Sequence, residues 1–188
     1  MLTAYICRHG ETEFNLQKRL QGWIDTPLTE TGEQNALQVA EKILRHNITI
    51  DDIYSSDLGR AFTTAYLISR HIGYKGDIKR NKLLREVSFG NEAAKPYAEW
   101  LGLEKDPDFV IPGGESVNQM QIRVLQFMAQ LSLDNTLIAA HDGTINALYA
   151  NYKGIEVGEY NFNTHNPHDS LFKFTVEHER ISSFEEIT

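Results

Sequence analysis

The chain of 188 residues has the length and composition of a single folded domain. Hydrophobic residues make up 41% and charged residues 23%, which excludes a disordered or fibrous protein. The formal net charge of -8 and the pI near 5.3 argue against a nucleic-acid-binding protein, because such surfaces are basic. We therefore predict one domain over residues 1–188 whose partner is a small molecule. An anionic small molecule is compatible with the negative net charge of the chain if a few arginines converge at the binding site.

Three sequence features bear on the cellular compartment. The longest apolar stretches, such as residues 136–140, are too short to cross a bilayer, so no membrane partner is expected. Residues 1–7 lack the basic region and cleavage site of a secretory signal. Cys7 is the only cysteine, which excludes an intramolecular disulfide and suits a reducing compartment. We expect a cytoplasmic protein.

Apolar periodicity predicts strands that alternate with helices. The predicted strands are short apolar runs bounded by turn residues, at 4–7, 52–55, 136–140, 170–176 and 181–184, with a longer extended stretch at 77–85. The predicted helices carry apolar residues three and four positions apart. Three of them cover residues 30–45, 93–101 and 144–152, and two more begin after Asp57 and after Ser116. Their predicted N-caps are Thr29 or Thr31, Asp57, and a capping box formed by Ser116 and Gln119.

This order of elements predicts an α/β fold with three layers, in which helices cover both faces of a mainly parallel central sheet. Ligands of such sheets bind beyond the carboxyl ends of the strands. Arg8 and His9 directly follow the first predicted strand, and His141 directly follows the strand at 136–140. The sequence therefore places these three residues at the edge of the sheet where a site is expected.

Several short motifs spread along the chain occur in an order and at a spacing that is specific in combination. They are Arg8-His9-Gly10-Glu11-Thr12 with Asn15; Gly22-Trp23 with Asp25 and Pro27-Leu28-Thr29; Ser55-Ser56-Asp57-Leu58 with Arg60-Ala61; Leu84-Arg85-Glu86 with Phe89-Gly90; Pro112-Gly113-Gly114-Glu115-Ser116; and His141. In this combination the sequence resembles the histidine phosphatase superfamily, the phosphoglycerate mutase-like family. The resemblance implies a phosphoglycerate mutase-like fold and a phosphatase that hydrolyses phosphate monoesters through a phosphohistidine intermediate, without a metal or another cofactor.

The chemistry of the matching residues agrees with that resemblance. Phosphoryl transfer needs a positioned nucleophile and cationic groups around the transferred phosphoryl group. The pKa of a histidine is about 6.5, so His9 can offer a neutral nitrogen as the nucleophile near neutral pH. Glu86 matches the family's acid position and can protonate the leaving oxygen, then take a proton from water.

The predicted site residues fall into two overlapping groups. The predicted catalytic residues are His9, Glu86, Arg8, Arg60 and His141. The predicted substrate-binding residues are Arg8, Asn15, Gln21, Arg60 and His141, of which Asn15 and Gln21 are neutral donors in the loop after the nucleophile. No metal ligand is predicted.

Other residues suggest different chemistries that the sequence disfavours. His141-Asp142 with His165 and His168 could indicate a metal-dependent phosphohydrolase, but that family is helical and this pair follows a strand, so we interpret His165 and His168 as loop residues. A cysteine phosphatase needs an arginine six positions after its cysteine, and position 13 is Glu13, so Cys7 is expected to be a buried strand residue.

Two tryptophans and one aspartate are less clearly assigned. Trp23 and Trp100 are expected to be packing residues, although Trp23 is close enough to the motif loop to contact a substrate. Asp142 stands where many relatives have a neutral residue, and its charge would repel phosphate unless it serves as a helix N-cap that points elsewhere.

The resemblance leaves two functional alternatives. Mutases of the superfamily usually carry a longer insertion with paired basic residues after the acid; here 141 minus 86, or 55, positions separate Glu86 from His141, with no Arg-Arg pair between them. Phosphatase activity is therefore favoured over phosphoglycerate mutase-type transfer. A weakly active regulator that binds a phosphorylated ligand is the second alternative, but a binding protein would not need the proton donor Glu86.

Overall fold

The computed structural model describes residues 1–100, 106–155, 157, 165–177 and 180–188. These residues form a six-stranded sheet with the order β3-β2-β4-β1-β5-β6. The strands are β1 (Leu2–Arg8), β2 (Asp52–Ser56), β3 (Ile78–Asn81), β4 (Thr136–Ala140), β5 (Leu171–Glu177) and β6 (Arg180–Glu186). The strands β1 to β4 are parallel to one another; β5 pairs antiparallel with β1, and β6 pairs antiparallel with β5.

Helices cover both faces of this sheet. They are α1 (Glu13–Leu16), α2 (Glu30–Arg45), α3 (Gly59–His71), α4 (Tyr97–Trp100), α5 (Val117–Met128) and α6 (Asp142–Lys153). Alternate residues of a strand point to opposite faces, so Cys7 of β1 packs with α2 and α3, whereas Ile6 packs with α5 and α6. The predicted three-layer, mainly parallel α/β fold is confirmed. None of the helices in the described ranges is long and apolar enough to span a membrane.

Two of the predicted helix caps are confirmed. Thr29, rather than Thr31, caps α2, and its hydroxyl accepts a hydrogen bond from Gly32 N at 3.0 Å. Ser116 and Gln119 form the predicted capping box of α5, with reciprocal bonds of 3.1 and 2.9 Å. These caps depend on residues close in sequence, which is why the sequence alone predicts them.

The predicted cap of α3 by Asp57 is wrong. Asp57 instead accepts two hydrogen bonds from Arg85, at 2.7 and 2.6 Å, and this bidentate ion pair directs its carboxylate away from the helix. The first N–H groups of α3 are bound by a distant residue: Asp25 accepts hydrogen bonds from Gly59 N and from Arg60 N. This contact fixes the first turn of α3, which carries the Arg60 side chain.

Two predicted elements are shorter than expected. Only Ile78–Asn81 of the stretch 77–85 is a strand, because Asn81 caps a 3-10 helix at Lys82–Leu84 through a 2.9 Å bond to Leu83 N. Of the helix predicted at 93–101, residues 93–96 are not helical and Tyr97–Trp100 form α4, while residue 101 and the side chain of Trp100 lie outside the described part of the structure.

Cys7 is a buried strand residue, as expected. Burial raises the pKa of its thiol to about 12. The thiol is therefore protonated at neutral pH and is a poor nucleophile.

Candidate active site

The carboxyl ends of β1 and β4 bring three of the predicted site residues together. The two strands are parallel neighbours with Arg8 opposite Ala140, and His9 N donates to the carbonyl of Ala140 at 2.9 Å. The rings of His9 and His141 meet edge to face with their centroids 5.2 Å apart. Arg60 reaches the same place from the first turn of α3.

His9 is held in one tautomer. Its Nδ1 lies 2.8 Å from the carbonyl oxygen of Gly10, and since a carbonyl can only accept, Nδ1 carries the hydrogen. Nε2 is then left with its lone pair, which accepts a hydrogen bond from Arg60 Nε at 3.2 Å. Burial, followed by the charges of Arg60 and its neighbours, lowers the pKa of His9 well below its ordinary value. His9 is thus neutral at neutral pH, with the lone pair of Nε2 directed toward Arg60.

Arg60 is a buried cation, and each of its three guanidinium nitrogens donates a hydrogen bond. Its Nη2 donates to the carbonyl of Gly22 at 2.7 Å, and its Nη1 donates to the carbonyl of Ile24 at 3.0 Å and lies 3.5 Å from Asp25. Only 2% of Arg60 is exposed, and burial lowers its pKa to about 10. The guanidinium therefore stays charged at neutral pH and is held in a fixed orientation.

Arg8 and His141 differ from Arg60 because each has a buried side-chain nitrogen without a hydrogen-bond partner among the described residues. Arg8 Nη1 donates to the carbonyl of Asn166, whereas Arg8 Nε has no hydrogen-bond partner among the described residues. His141 is completely buried, and neither of its ring nitrogens has a partner in that part of the chain. Burial lowers the pKa of His141 well below its usual value, so one ring nitrogen carries a hydrogen and the ring is neutral. A buried donor without a partner costs about 1–3 kcal/mol, which is unusual for a purely structural residue.

Glu86 lies against the N-terminus of α6. Its Oε1 accepts a hydrogen bond from Val87 N at 2.9 Å, and its Oε2 accepts one from Gly143 N at 3.2 Å. Burial raises the pKa of Glu86, and the nearby carboxylate of Asp142 acts in the same direction. A Cβ atom at position 143 would lie 2.2 Å from Glu86 Oε1, so this approach requires glycine there.

The backbone that carries Glu86 is fixed from two sides. Arg123 Nη2 and Trp23 Nε1 each donate to the Glu86 carbonyl at 2.7 Å. Arg123 is itself paired with Glu115, with Nη2 and Oε1 2.6 Å apart. Trp23 is partly exposed and packs under the guanidinium of Arg85, so it both supports Glu86 and reaches the surface.

Asn15, in α1, and Gln21, in the loop after it, both bond to Thr12 rather than to the central group. The Thr12 hydroxyl is 2.8 Å from Asn15 Oδ1 and 3.0 Å from Gln21 Oε1. The amide of Asn15 donates to the Tyr97 hydroxyl at 3.4 Å, and that of Gln21 donates to Thr26 at 2.8 Å. Within the described residues no hydrogen bond joins either side chain to His9, so their role as substrate-binding residues stays a prediction.

His168 is a site residue that the sequence did not reveal. Like His165 it lies in a loop, as expected, but its Nδ1 is 2.8 Å from the carbonyl oxygen of His9 and its ring centroid is 5.6 Å from that of His9. No local motif marks His168, because this contact is made only when β5 pairs with β1. Asp142, whose departure from the family pattern was the one signal in this region, contacts the same loop.

The interpretation of Asp142 as a helix N-cap is wrong, because His141 is the N-cap of α6. The Asp142 carboxylate points to the loop instead, where it accepts hydrogen bonds from Asn166 N at 2.9 Å and from Asn166 Nδ2 at 2.8 Å and contacts His165 Nδ1 at 2.9 Å. In the described ranges no three histidine, cysteine, aspartate or glutamate side chains are grouped so that they could hold a metal ion.

The site combines a neutral buried histidine, two buried arginines, a second buried histidine and a carboxyl group with a raised pKa, and such a set of groups is chemically suited to phosphoryl transfer. The model of the histidine phosphatase superfamily (branch 1) matches residues 4–186, and the chain belongs to this family.

Comparison with known proteins gives the same family. The chain is similar to a probable phosphoglycerate mutase, GpmB, of Salmonella choleraesuis, with 40% identity over 134 residues that cover 66% of this chain and 60% of that protein. The chain thus spans about 60% of the length of the curated relatives it matches.

Solved structures resemble the chain over nearly its whole length. YhfR of Bacillus stearothermophilus is 25% identical with a TM-score of 0.82, over 96% of this chain and 94% of that one. A mycobacterial glucosyl-3-phosphoglycerate phosphatase in complex with VO3 is 27% identical with a TM-score of 0.83, over 99% of this chain and 97% of that one.

Proposed function

We propose that this protein is a metal-independent phosphatase that hydrolyses phosphate monoesters through a phosphohistidine on His9. The observation that carries the proposal is the fixed tautomer of His9, because the Nδ1–H bond to Gly10 leaves the Nε2 lone pair as the attacking atom. The similar mycobacterial structure is named a phosphatase and was solved with a vanadium oxyanion, a chemical mimic of phosphate.

The first chemical step transfers the phosphoryl group to the enzyme. His9 Nε2 attacks phosphorus, its bond from Arg60 Nε being replaced by one from Arg60 to a phosphoryl oxygen, and the bond between phosphorus and the ester oxygen breaks. The departing alkoxide takes a proton from Glu86, whose raised pKa favours the protonated carboxyl that this step needs. The alcohol leaves, and the phosphoryl group stays on His9.

The second step returns the enzyme to its starting state. Water gives a proton to the Glu86 carboxylate as its oxygen attacks phosphorus, and the bond between phosphorus and Nε2 breaks. The products are inorganic phosphate, neutral His9 and protonated Glu86, so the same carboxyl serves both steps.

The spare donors explain how the phosphoryl oxygens are held. Arg8 Nε and the protonated nitrogen of His141 are buried and have no acceptor within the described ranges, and phosphoryl oxygens would accept from both. The charges of Arg8 and Arg60 stabilise the transferred group in surroundings from which water is largely excluded. The site thereby supplies the cationic contacts that a metal ion provides in other phosphatases.

The proposed substrate is a small phosphorylated molecule, and the proposed location is the cytoplasm. The net charge of -8 disfavours a nucleic-acid partner, and the single buried cysteine suits a reducing compartment. The names of the curated relatives favour a second candidate, phosphoglycerate mutase-type transfer. The short segment between Glu86 and His141 without an Arg-Arg pair favours hydrolysis instead.

Assays of phosphate release test the proposal. A panel of sugar phosphates, phosphoglycerates, nucleotides and phosphopeptides should give release of inorganic phosphate that survives EDTA and is inhibited by vanadate. The His9→Asn variant should be inactive. The matched control, His71→Asn on the surface, should be fully active. Loss of activity in EDTA with recovery on adding a divalent ion would contradict the metal-independent mechanism, and interconversion of phosphoglycerates without phosphate release would favour the mutase.

A further inference from the structure

A loop from the C-terminal part of the chain is tied to the start of α6 by Asp142. The carboxylate accepts two hydrogen bonds from Asn166 and one from His165, and it lies 4.0 Å from Arg8 Nη1. These bonds and the charge of Arg8 hold the pKa of Asp142 below its usual value despite its burial, so it is ionised at neutral pH. Asp142 therefore anchors residues 165–168, which we call the anchored loop.

The anchored loop contacts both Arg8 and the proposed nucleophile, His9. The carbonyl of Asn166 accepts a hydrogen bond from Arg8 Nη1. Two residues further on, His168 Nδ1 lies 2.8 Å from the carbonyl of His9, and because that carbonyl can only accept, Nδ1 carries the hydrogen and donates. Burial and the charge of Arg8 lower the pKa of His168 to about 4, so the ring makes this bond as a neutral donor.

This bond matters because of the peptide group that it holds. The peptide between residues 9 and 10 has two polar ends: its carbonyl accepts from His168, and its N–H, on Gly10, donates to Thr64 Oγ1 at 3.0 Å. Glycine allows the backbone more conformations than other residues do, and these two bonds fix the orientation of the peptide that precedes Gly10. The next carbonyl, that of Gly10, is the one that fixes the tautomer and orientation of His9.

We propose that His168 is a positioning residue for the nucleophile, and that Asp142 acts through the anchored loop to place it. The inference rests on the proposed function, since it assigns a role in orienting His9 for attack. Without the His168 donor, the one bond left to the 9–10 peptide among the described residues is that to Thr64, and the His9 carbonyl loses a hydrogen-bond donor. A small displacement of the attacking nitrogen is enough to slow the chemical step, because misplacement by about 1 Å can cost about 10²-fold.

Substitutions at position 168 test this role directly. His168→Leu removes the donor at similar size, and we expect the rate of phosphoenzyme formation to fall about 10- to 100-fold with little change in KM. His168→Asn retains an N–H donor at a similar distance from the backbone, and we expect it to recover most of that rate. His71→Leu and His71→Asn are the matched controls, because His71 lies on the surface and contacts Glu41.

A double-variant cycle tests the part assigned to Asp142. Asp142→Asn should slow phosphoenzyme formation in the parent protein but should have little further effect in the His168→Leu background, because both changes act through the same loop. If His168→Leu does not fold, as shown by its melting curve, the His168→Asn and His168→Gln variants provide the same comparison between a correctly placed and a displaced donor.

The outcomes separate this inference from the proposed function. Parent-like rates in His168→Leu, equal damage from His168→Asn and His168→Leu, or losses that multiply in the double variant would each overturn the positioning role while leaving the phosphatase intact. A parent protein that forms no phosphohistidine would overturn the proposed function itself, and the positioning role with it.

Discussion

Arg60 donates its Nε hydrogen to Nε2 of His9 at 3.2 Å, from a guanidinium whose other donors are bound to the loop carbonyls of Gly22 and Ile24. The cation is thus aimed at the atom proposed to carry the phosphoryl group, and it is fixed before substrate binds. Such preorganised charge is a large term in transition-state stabilisation, because little reorganisation is needed during the reaction.

Arg60→Lys should therefore lose activity although it keeps the positive charge. The single ammonium nitrogen of a lysine cannot reproduce the geometry of the three guanidinium nitrogens that bind His9 and the two loop carbonyls, so we expect kcat to fall about 10²- to 10³-fold. Arg70→Lys, at an exposed position of the same helix, is the matched control and should leave kcat unchanged. A small loss in Arg60→Lys would show that charge alone, without orientation, is sufficient.

Glu86→Gln should affect alkyl and aryl phosphates differently. An alkoxide needs the proton from Glu86, and general acid catalysis typically contributes about 10²–10⁴-fold, whereas a nitrophenolate leaves without it. The first step should be measured by single-turnover kinetics with glycerol phosphate and with p-nitrophenyl phosphate. Glu92→Gln, which changes a surface ion pair with Lys95, is the control. Equal losses on the two substrates would remove Glu86 from the acid role.

The pKa values of Glu86 and His9 set the expected dependence on pH. The raised pKa of Glu86 means that the acid form is present below that pKa and is lost as the pH rises through it, so kcat/KM on an alkyl phosphate should fall on the alkaline side. Because the pKa of His9 is lowered, the nucleophile stays neutral even at a pH below the ordinary pKa of histidine, which is about 6.5. We therefore expect no loss of activity from protonation of His9 near that pH. After correction for titration of the substrate's phosphate, the alkaline limb should vanish in Glu86→Gln. A limb that persists unchanged would belong to another group.

Gly143→Ala should mimic the loss of the acid without removing a carboxyl group. The added Cβ would lie 2.2 Å from Glu86 Oε1, so the carboxyl must move away from the N-terminus of α6. We expect a selective loss on alkyl phosphates, measured as for Glu86→Gln. Gly154→Ala, at the other end of α6, strains a position with φ of 67°, and its Cβ would have no contact within 4 Å in the described part of the chain, so it should lower the melting temperature and spare the activity. Equal kinetics in the two variants would contradict the placement of Glu86.

The sequence predicted those parts of the site that depend on strand ends and on neighbours in the chain. Arg8, His9 and His141 follow buried strands, and parallel pairing of those strands brings them to one edge. The cap of α3 could not be predicted in this way. Asp57 forms an ion pair with Arg85, and the distant residue Asp25 accepts the hydrogen bonds from the first N–H groups of α3.

The contact between His168 and His9 was also beyond prediction from sequence. It depends on the antiparallel pairing of β5 with β1 and on a loop held by Asp142, and neither leaves a local pattern at His168. Motif spacing therefore gave the central residues, whereas the residues that orient them come from contacts between distant segments.

The most direct test of the central claim is to trap the phosphoryl group on His9. The experiment uses the Glu86→Gln variant with a labelled aryl phosphate. An aryl leaving group needs no general acid in the first step, whereas attack by water in the second step lacks its general base, so the phosphoenzyme should accumulate. We predict close to one acid-labile, alkali-stable label per protein molecule, located on His9. The label should be absent from the double variant that also carries His9→Asn. Continued phosphate release by the variant with His9→Asn, or rapid turnover with no label on His9, would contradict the account.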